Sequence, residues 1–133
     1  MKNIFNLFKR KIKIGVAFGG GGAKGITHIG VIKAFQEFGL NFDYVAGTSV
    51  GSIMGACYAN NMKYDEILKI AKTLKTSDIR TSKLFFIPSK TEGIETMMKD
   101  TFGDINIENL KKPFSCVAVD IKSTKELCIS KGN

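Results

Sequence analysis

Short apolar runs alternate with amphipathic segments along the chain. Strand-like runs bounded by turn residues occupy positions 14–18, 44–46, 114–121 and 127–130. Segments with apolar side chains at helical spacing occupy positions 26–38, 65–74 and 94–102, with a short helical turn at 107–110. Strands that alternate with helices predict an α/β sandwich, in which 114–121 is a buried strand and 127–130 its hairpin partner.

Glycines mark where two of these helices are expected to end. Gly39 follows the segment 26–38, and Gly103 follows the segment 94–102. A residue of left-handed conformation commonly ends a helix, and glycine adopts that conformation most readily. In the helix 65–74, one face is apolar and the other carries lysines; the apolar residues are Ile67, Leu68, Ala71 and Leu74. A turn is predicted near Pro88.

Composition places the chain among globular proteins with one core. It has 133 residues, 44% of them hydrophobic, and its mean hydropathy is close to zero. The formal net charge of +8 favours anionic partners such as lipid headgroups or nucleic acid, although a solvated basic surface would give the same value. Cys57, Cys116 and Cys128 lie in apolar runs without a C-x-x-C pair, which predicts buried free thiols in a reducing compartment and no metal site.

The first 13 residues form a basic amphipathic extension. They contain five Lys or Arg residues, no acidic residue, and apolar residues that fall largely on one helical face. Such a segment is either an interfacial helix on an anionic membrane or a frayed extension. It is too short to span a bilayer and lacks a secretory cleavage site, which predicts a cytoplasmic protein, peripheral on the membrane.

A glycine-rich stretch follows the first strand and leads into a helix, which is a layout that binds anions. The stretch from Gly20 to Gly25 fits the dinucleotide-binding pattern G-x-G-x-x-G. That pattern also needs an acidic residue at the end of the second strand, whereas Asp43 precedes the strand. A P-loop needs serine or threonine after its lysine, whereas Lys24 is followed by Gly25. An oxyanion hole is the third chemistry that this layout serves.

The second strand ends in a Gly-x-Ser-x-Gly turn that leads into another apolar helix. Its residues are Gly47, Thr48, Ser49, Val50 and Gly51. This pattern predicts a nucleophile elbow, in which Ser49 sits on a strained strand-to-helix turn beside the helix N-terminus. The single histidine, His28, precedes the serine and is interpreted as a packed helix residue. A hydrolase built on Ser49 would therefore need a carboxylate or a lysine as its base.

The chain resembles the N-terminal part of bacterial patatin-like phospholipases. The resemblance lies in the two glycine motifs, the sequence from His28 to Val31, and the stretch from Pro113 to Asp120. The resemblance implies a three-layer α/β/α sandwich with a mostly parallel sheet. It also implies a Ser–Asp lipid acyl hydrolase that acts on phospholipids or other lipid esters without metal or cofactor. By motif, Ser49 would be the nucleophile. The oxyanion hole would be formed by the loop of Gly20, Gly21, Gly22, Ala23, Lys24 and Gly25, with Lys24 either near the lipid phosphate or merely solvated.

One part of the family pattern is missing from the sequence. Members of the family take their base from an aspartate followed by glycine, and no aspartate here is followed by glycine. Asp120 belongs to the hairpin segment rather than to such a motif. We therefore expect residues 14–133 to be the N-terminal portion of the domain, truncated at its C-terminus and without the dyad aspartate.

Two alternatives to an active hydrolase remain open. The chain could be an inactive fragment that binds lipid or membrane, or it could fail to fold by itself. A nucleic-acid partner is not expected, and the sequence does not define the oligomeric state.

Overall fold

The computed structural model describes residues 12–73 and 92–133. Its elements, in chain order, are β1 (Gly15–Phe18), a 3₁₀ helix (Gly22–Thr27), α1 (His28–Glu37), β2 (Tyr44–Thr48), α2 (Val50–Ala59), α3 (Tyr64–Thr73), α4 (Glu92–Phe102), a 3₁₀ turn (Ile107–Asn109), β3 (Phe114–Asp120) and β4 (Lys125–Ile129). Most of the predicted N-terminal extension and the turn near Pro88 lie outside the described residues. The described helices all fall short of the length and apolar character of a bilayer-spanning segment.

The four strands form one mixed sheet in the order β1-β2-β3-β4. β1 pairs with β2 and β2 with β3 in parallel, whereas β3 and β4 form an antiparallel hairpin. In this register Phe18 pairs with Gly47, and Thr48 pairs with Val117. The α/β class, the mostly parallel sheet and the C-terminal hairpin are confirmed.

The core lies between one face of the sheet and the helices. Phe18, Val45 and Phe114 are buried on this face. Helix α2 packs directly on it, and α1 packs against both α2 and α3. The largest fully buried side chains come from these three helices: Ile32, Met54, Cys57 and Ile67. Removing apolar area from water at this face is the main force that holds α2, and therefore its N-terminus, against the strand ends.

Both predicted helix ends are confirmed. Gly39 has φ 67° and Gly103 has φ 70°, in the left-handed region. After α1, the N–H of Leu40 donates to the carbonyl of Phe35 at 2.8 Å, as in a Schellman motif. Helix α1 begins two residues later than expected. The preceding segment is instead wound as a 3₁₀ helix, which fits its glycine-rich start because glycine disfavours the α-helix.

The expectation that 114–121 is a buried strand is wrong for its second half. Phe114 is buried, but Val119 is 64% exposed and Ile121 is 90% exposed. The cause lies in the register. Because the last residue of β2, Thr48, pairs with Val117, the later residues of β3 extend beyond β2 and, of the described strands, have only β4 beside them. In α3, Ile67 and Ala71 are buried as expected, but Leu68 is 36% exposed; Leu74 lies outside the described residues.

The cysteines differ from one another in exposure. All three thiols are free, with Cys57 buried, Cys116 half-buried and Cys128 exposed. Burial raises the pKa of the Cys57 thiol to about 12. The prediction of buried thiols is therefore right for Cys57 and wrong for Cys128, which lies on β4 at the edge of the described sheet.

Candidate active site

Ser49 lies between the last residue of β2 and the first residue of α2. Its backbone has φ 55° and ψ −131°, a conformation that residues with a side chain rarely adopt. Strain of this kind costs on the order of 1–3 kcal/mol and persists only where the surrounding structure enforces it. The conformation is the one that a nucleophile elbow requires, because it presents the serine hydroxyl above the end of the sheet.

The hydroxyl of Ser49 is not used to cap the helix. Ser49 occupies the N-cap position of α2, yet its side chain makes no capping hydrogen bond. The residue is exposed, and its carbonyl accepts a hydrogen bond from the N–H of Ser52 at 2.8 Å. Ser49 is thus an exposed residue at a helix N-terminus, where the helix dipole favours negative charge, and its hydroxyl is not engaged in capping.

Two glycines of the elbow allow its close packing. A Cβ atom on Gly47 would lie less than 3.0 Å from the backbone of Gly51 and Ser52. A Cβ atom on Gly51 would lie equally close to the carbonyls of Phe18 and Gly19. Since real Cβ atoms essentially never approach so closely, both positions require glycine. The second contact joins the start of α2 to the end of β1.

The glycine-rich loop lies directly opposite the elbow. A Cβ atom on Gly20 would stand 3.2 Å from the Cβ atom of Ser49 and 3.9 Å from its Oγ. Gly21 and Gly22 have φ values of 153° and 54°, which side-chain-bearing residues rarely adopt. The structure therefore brings together the two turns that the sequence analysis singled out, because both follow neighbouring parallel strands at the same end of the sheet.

The rest of the predicted loop forms the start of the 3₁₀ helix. Ala23 and Lys24 are exposed, whereas Gly25 is buried beneath the elbow. The N–H of Lys24 donates to the carbonyl of Gly21 at 3.1 Å, and the carbonyl of Lys24 accepts a hydrogen bond from the Thr27 hydroxyl at 2.7 Å. The backbone N–H of Lys24 is thus engaged inside the turn, and Gly20 is the loop residue that lies against Ser49.

Within 12–73 and 92–133, no carboxylate or imidazole is hydrogen-bonded to the Ser49 hydroxyl. The Asp120 carboxylate accepts hydrogen bonds from the Ser123 hydroxyl at 2.6 Å and from the Lys122 N–H at 3.0 Å. These bonds, that of Ser123 foremost, lower the pKa of Asp120 and hold the turn between β3 and β4. Asp120 has a structural role here, in agreement with its assignment to the hairpin.

Asp43 lies at the opposite end of β2 from Ser49. Its carboxylate accepts a hydrogen bond from the N–H of Ile14 at 3.0 Å, and its own N–H donates to the Ile14 carbonyl at 2.7 Å. It therefore joins the beginnings of β1 and β2 and is far from the glycine loop. This position removes the acidic residue on which the dinucleotide interpretation depended.

An apolar cavity of about 580 Å³ opens between α2, α4 and the sheet. Ser52, one turn along α2 from Ser49, is among the residues around it. Most of its lining is apolar and includes Ile53, Ala56, Met98, Phe102, Leu110 and Phe114. The residues that the structure describes contain no group of three or more His, Cys, Asp or Glu side chains that could hold a metal ion.

Two features of this region were not predicted from the sequence. The cavity depends on how α4 is placed relative to α2, and this placement cannot be predicted from a local sequence pattern. The other feature is His28, whose Nε2 atom lies 2.9 Å from the carbonyl oxygen of Gly19. Its position at the first residue of α1, directly after the glycine loop, was the available signal.

Comparison with known proteins identifies the family. The patatin-like phospholipase family model matches residues 16–131. Neuropathy target esterase sws from Drosophila persimilis and its counterpart from Drosophila melanogaster are each 34% identical to this chain over 120 residues. These alignments cover 84% of the chain but only 8% of each relative, and they do not point to a bacterial branch of the family. The chain belongs to the patatin-like phospholipase family.

Proposed function

We propose that this chain carries the nucleophile and the oxyanion-binding loop of a serine hydrolase that cleaves ester bonds of membrane lipids. One observation carries the proposal: Ser49 is held in the strained elbow conformation with its side chain against Gly20 of the glycine-rich loop. A hydroxyl at a helix N-terminus that faces a glycine-rich loop is the arrangement that acyl transfer requires. Family membership supports a lipid ester as the substrate.

In the proposed reaction, the Oγ atom of Ser49 attacks the ester carbonyl carbon while its proton passes to a general base. The carbonyl oxygen gains the negative charge, and backbone N–H groups of the loop around Gly20 stabilise it. The tetrahedral intermediate collapses, the C–O bond of the ester breaks, and the alcohol leaves with the proton from the base. Water then hydrolyses the acyl-enzyme and releases the fatty acid. None of these steps uses a metal or a cofactor.

The residues described around Ser49 do not include a general base. No aspartate in the sequence is followed by glycine, and the Asp120 carboxylate is already engaged by Ser123 and Lys122. We propose that the base is not supplied by this chain. Removing one member of a catalytic unit typically lowers the rate by several orders of magnitude, so the isolated chain is expected to be a slow enzyme.

The apolar cavity is the proposed site of the acyl chain. A helix rises about 1.5 Å per residue, so Ser52 at the cavity lies roughly 5 Å along α2 from Ser49. Pockets that bind small apolar ligands typically have volumes of about 300–1,000 Å³. An ester whose carbonyl lies at Ser49 could therefore extend its hydrocarbon chain between α2 and α4. Lys24, exposed on the loop, is a candidate contact for the lipid phosphate.

The net charge of +8 favours binding to an anionic membrane surface, where such a substrate resides. Sedimentation with vesicles tests this part of the proposal. Binding should require anionic lipid and should weaken as salt screens the charges. Equal binding to neutral and anionic vesicles would contradict it.

Hydrolysis of p-nitrophenyl esters tests the proposed function. Because the base is missing, small carboxylates such as formate should accelerate the reaction by taking the Ser49 proton. Ser49→Ala should abolish both the basal and the formate-dependent rates, whereas Ser52→Ala, one turn further along α2, should retain them. Esters with longer acyl chains should react faster if the cavity holds the chain. A formate-dependent rate that survives in Ser49→Ala would overturn the proposal.

A further inference from the structure

We propose that His28 is a positioning residue, which fixes the glycine loop in the shape that presents the Gly20 N–H to the reacting oxygen at Ser49. The inference rests on the proposed function, since it assigns His28 a task in the same site. The juxtaposition behind it is a histidine at the first position of α1 bonded to the carbonyl of the first loop glycine.

The chemistry of the contact defines the direction of the hydrogen bond. The Nε2 atom of His28 lies 2.9 Å from the carbonyl oxygen of Gly19. A carbonyl oxygen can only accept, so Nε2 carries the hydrogen and donates it. The ring is held in place by Phe18, which is buried and meets His28 edge to face at a centroid distance of 5.3 Å. The donor is therefore fixed by packing as well as by its position on α1.

A fixed carbonyl fixes the next N–H group. In a trans peptide the C=O and N–H groups lie in one plane and point in opposite directions. The described chain contains no cis peptide bond, so the orientation of the Gly19 carbonyl defines that of the Gly20 N–H. Gly20 is also the loop residue that lies against Ser49. Rotation of this one peptide would therefore reorient the N–H of the loop residue that lies against Ser49.

The glycine loop needs such a restraint because its own residues do little to fix its conformation. Residues 19–22 are four consecutive glycines, which have more backbone freedom than any other residue. Apart from its two chain neighbours, none of the described residues has an atom within 4 Å of the position that a Cβ atom on Gly19 would occupy, so no described side chain packs there. The carbonyl of Gly19 lies against Gly51 on one side and accepts the His28 hydrogen bond. His28 thus links α1 to the peptide that faces the elbow.

His28 does not act as the base in this account. Its Nε2 atom is engaged with Gly19, and among the described residues the ring makes no hydrogen bond to Ser49. A positioning role predicts that an amide donor in the same place can replace the imidazole. The side-chain amide nitrogen of glutamine reaches about as far from the backbone as the Nε2 atom of histidine. His28→Gln should therefore preserve the loop, whereas His28→Leu should release it.

The test compares His28→Gln and His28→Leu with the unaltered chain. Thr27→Val is a matched control, because it removes the neighbouring hydrogen bond to the Lys24 carbonyl without touching Gly19. The rate at which a fluorophosphonate labels Ser49 in the presence of formate should fall at least tenfold in His28→Leu. It should stay within threefold of the unaltered chain in His28→Gln and in Thr27→Val. Equal losses in His28→Gln and His28→Leu, or no loss in either, would overturn the inference.

Nuclear magnetic resonance tests the same inference without catalysis. Because the sequence has one histidine, its imidazole proton needs no assignment. A hydrogen-bonded Nε2 proton should be observable in the folded chain, and the amide signal of Gly20 should shift in His28→Leu but remain in His28→Gln. An unobservable imidazole proton together with an unchanged Gly20 signal would refute the positioning role. These signals are expected even if Ser49 proves unreactive, so failure of the two proposals can be told apart.

Discussion

Gly25 lies so close to Val50 that a Cβ atom on the glycine would stand 2.6 Å from the Cγ1 atom of the valine and 2.9 Å from its Cβ. Both residues are buried. Gly25 belongs to the glycine-rich stretch after β1, and Val50 is the first residue of α2. This contact joins the loop to the elbow independently of Gly20 and Ser49. The two turns are therefore packed as one unit.

The first prediction concerns this contact. Gly25→Ala should lower the free energy of unfolding by about 1–3 kcal/mol, because overpacking forces backbone or side-chain shifts. Gly30→Ala provides the control. Gly30 is the third residue of α1, and no atom of the described residues outside its own helix backbone and chain neighbours lies within 4 Å of the added methyl group, so alanine should stabilise the chain by about 0.5–1 kcal/mol. Urea denaturation measures both changes. A Gly25→Ala chain as stable as the unaltered one would contradict the packing described here.

Features encoded by neighbouring residues could be predicted from the sequence. The left-handed glycines after α1 and α4 follow from local composition, and the elbow at Ser49 follows from a pattern of five residues. Exposure could not be predicted in this way. Val119 looks like a core residue but extends beyond the end of β2, and Cys128 lies on an edge strand. Both outcomes depend on strand register and strand order, which are set by tertiary pairing.

The same distinction applies to the candidate site. The positions of the two turns, at Ser49 and at the glycine loop, could be predicted because each motif is contiguous and directly follows a strand. The contact between His28 and Gly19 could not, because apolar spacing indicated that the histidine was simply packed in a helix. The cavity between α2 and α4 required two helices distant in sequence to be placed against one sheet face.

The second prediction concerns Gln36, which ties α1 to the beginning of α3. Its amide nitrogen donates to the Met62 carbonyl at 2.9 Å, and its amide oxygen accepts from the Tyr64 N–H at 3.0 Å. Gln36→Leu leaves two partly buried backbone groups without these partners, which should cost about 1–3 kcal/mol.

Glu37→Gln is the control for Gln36, since it disturbs only an exposed pair in which the charged atoms of Lys33 and Glu37 are 3.6 Å apart. Exposed pairs contribute about 0–1 kcal/mol, so this variant should unfold at nearly the same urea concentration as the unaltered chain. If Gln36→Leu were no less stable than Glu37→Gln, the link between α1 and α3 would be unimportant for folding.

The third prediction concerns thiol reactivity, which requires the thiolate. At about pH 8 a disulfide reagent should modify exposed Cys128 first. Cys116 should react more slowly, because burial and, to a smaller extent, neighbouring Cys128 raise its pKa. Cys57, with a pKa of about 12, should react only after unfolding. Mass spectrometry of the modified peptides gives the order, and early modification of Cys57 would contradict its placement in the core.

The fourth prediction concerns acid. The pKa of Glu108 is lowered by hydrogen bonds from the backbone N–H of Glu108 itself and, to a smaller extent, from that of Gly132. The pKa of Asp120 is lowered by hydrogen bonds from the Ser123 side chain and the Lys122 backbone. A carboxylate whose pKa is lower in the folded state stabilises that state above its unfolded pKa, and the stabilisation is lost as pH falls through the folded value. Stability should therefore decline as pH falls below the ordinary values of 4.5 for Glu and 3.8 for Asp.

Glu108→Gln should make this decline shallower, because it removes one of the groups that must be protonated. Glu126→Gln, on exposed strand β4, is the matched control and should leave the slope closer to that of the unaltered chain. Thermal unfolding measured between about pH 3 and pH 7 gives the slopes. A steeper decline in Glu108→Gln than in Glu126→Gln would contradict the assignment.

The central claim is that Ser49 is a nucleophile set against an oxyanion-binding loop, and covalent labelling tests it most directly. The 133-residue chain is incubated with a fluorophosphonate, with and without formate, and its intact mass is recorded; Ser49→Ala and Ser52→Ala are treated in parallel. The account predicts one adduct on the unaltered chain and on Ser52→Ala, formed faster with formate, and none on Ser49→Ala. Two results would contradict the claim, provided that circular dichroism shows the samples to be folded. One is equal labelling of Ser49→Ala and the unaltered chain; the other is no labelling of the unaltered chain even with formate.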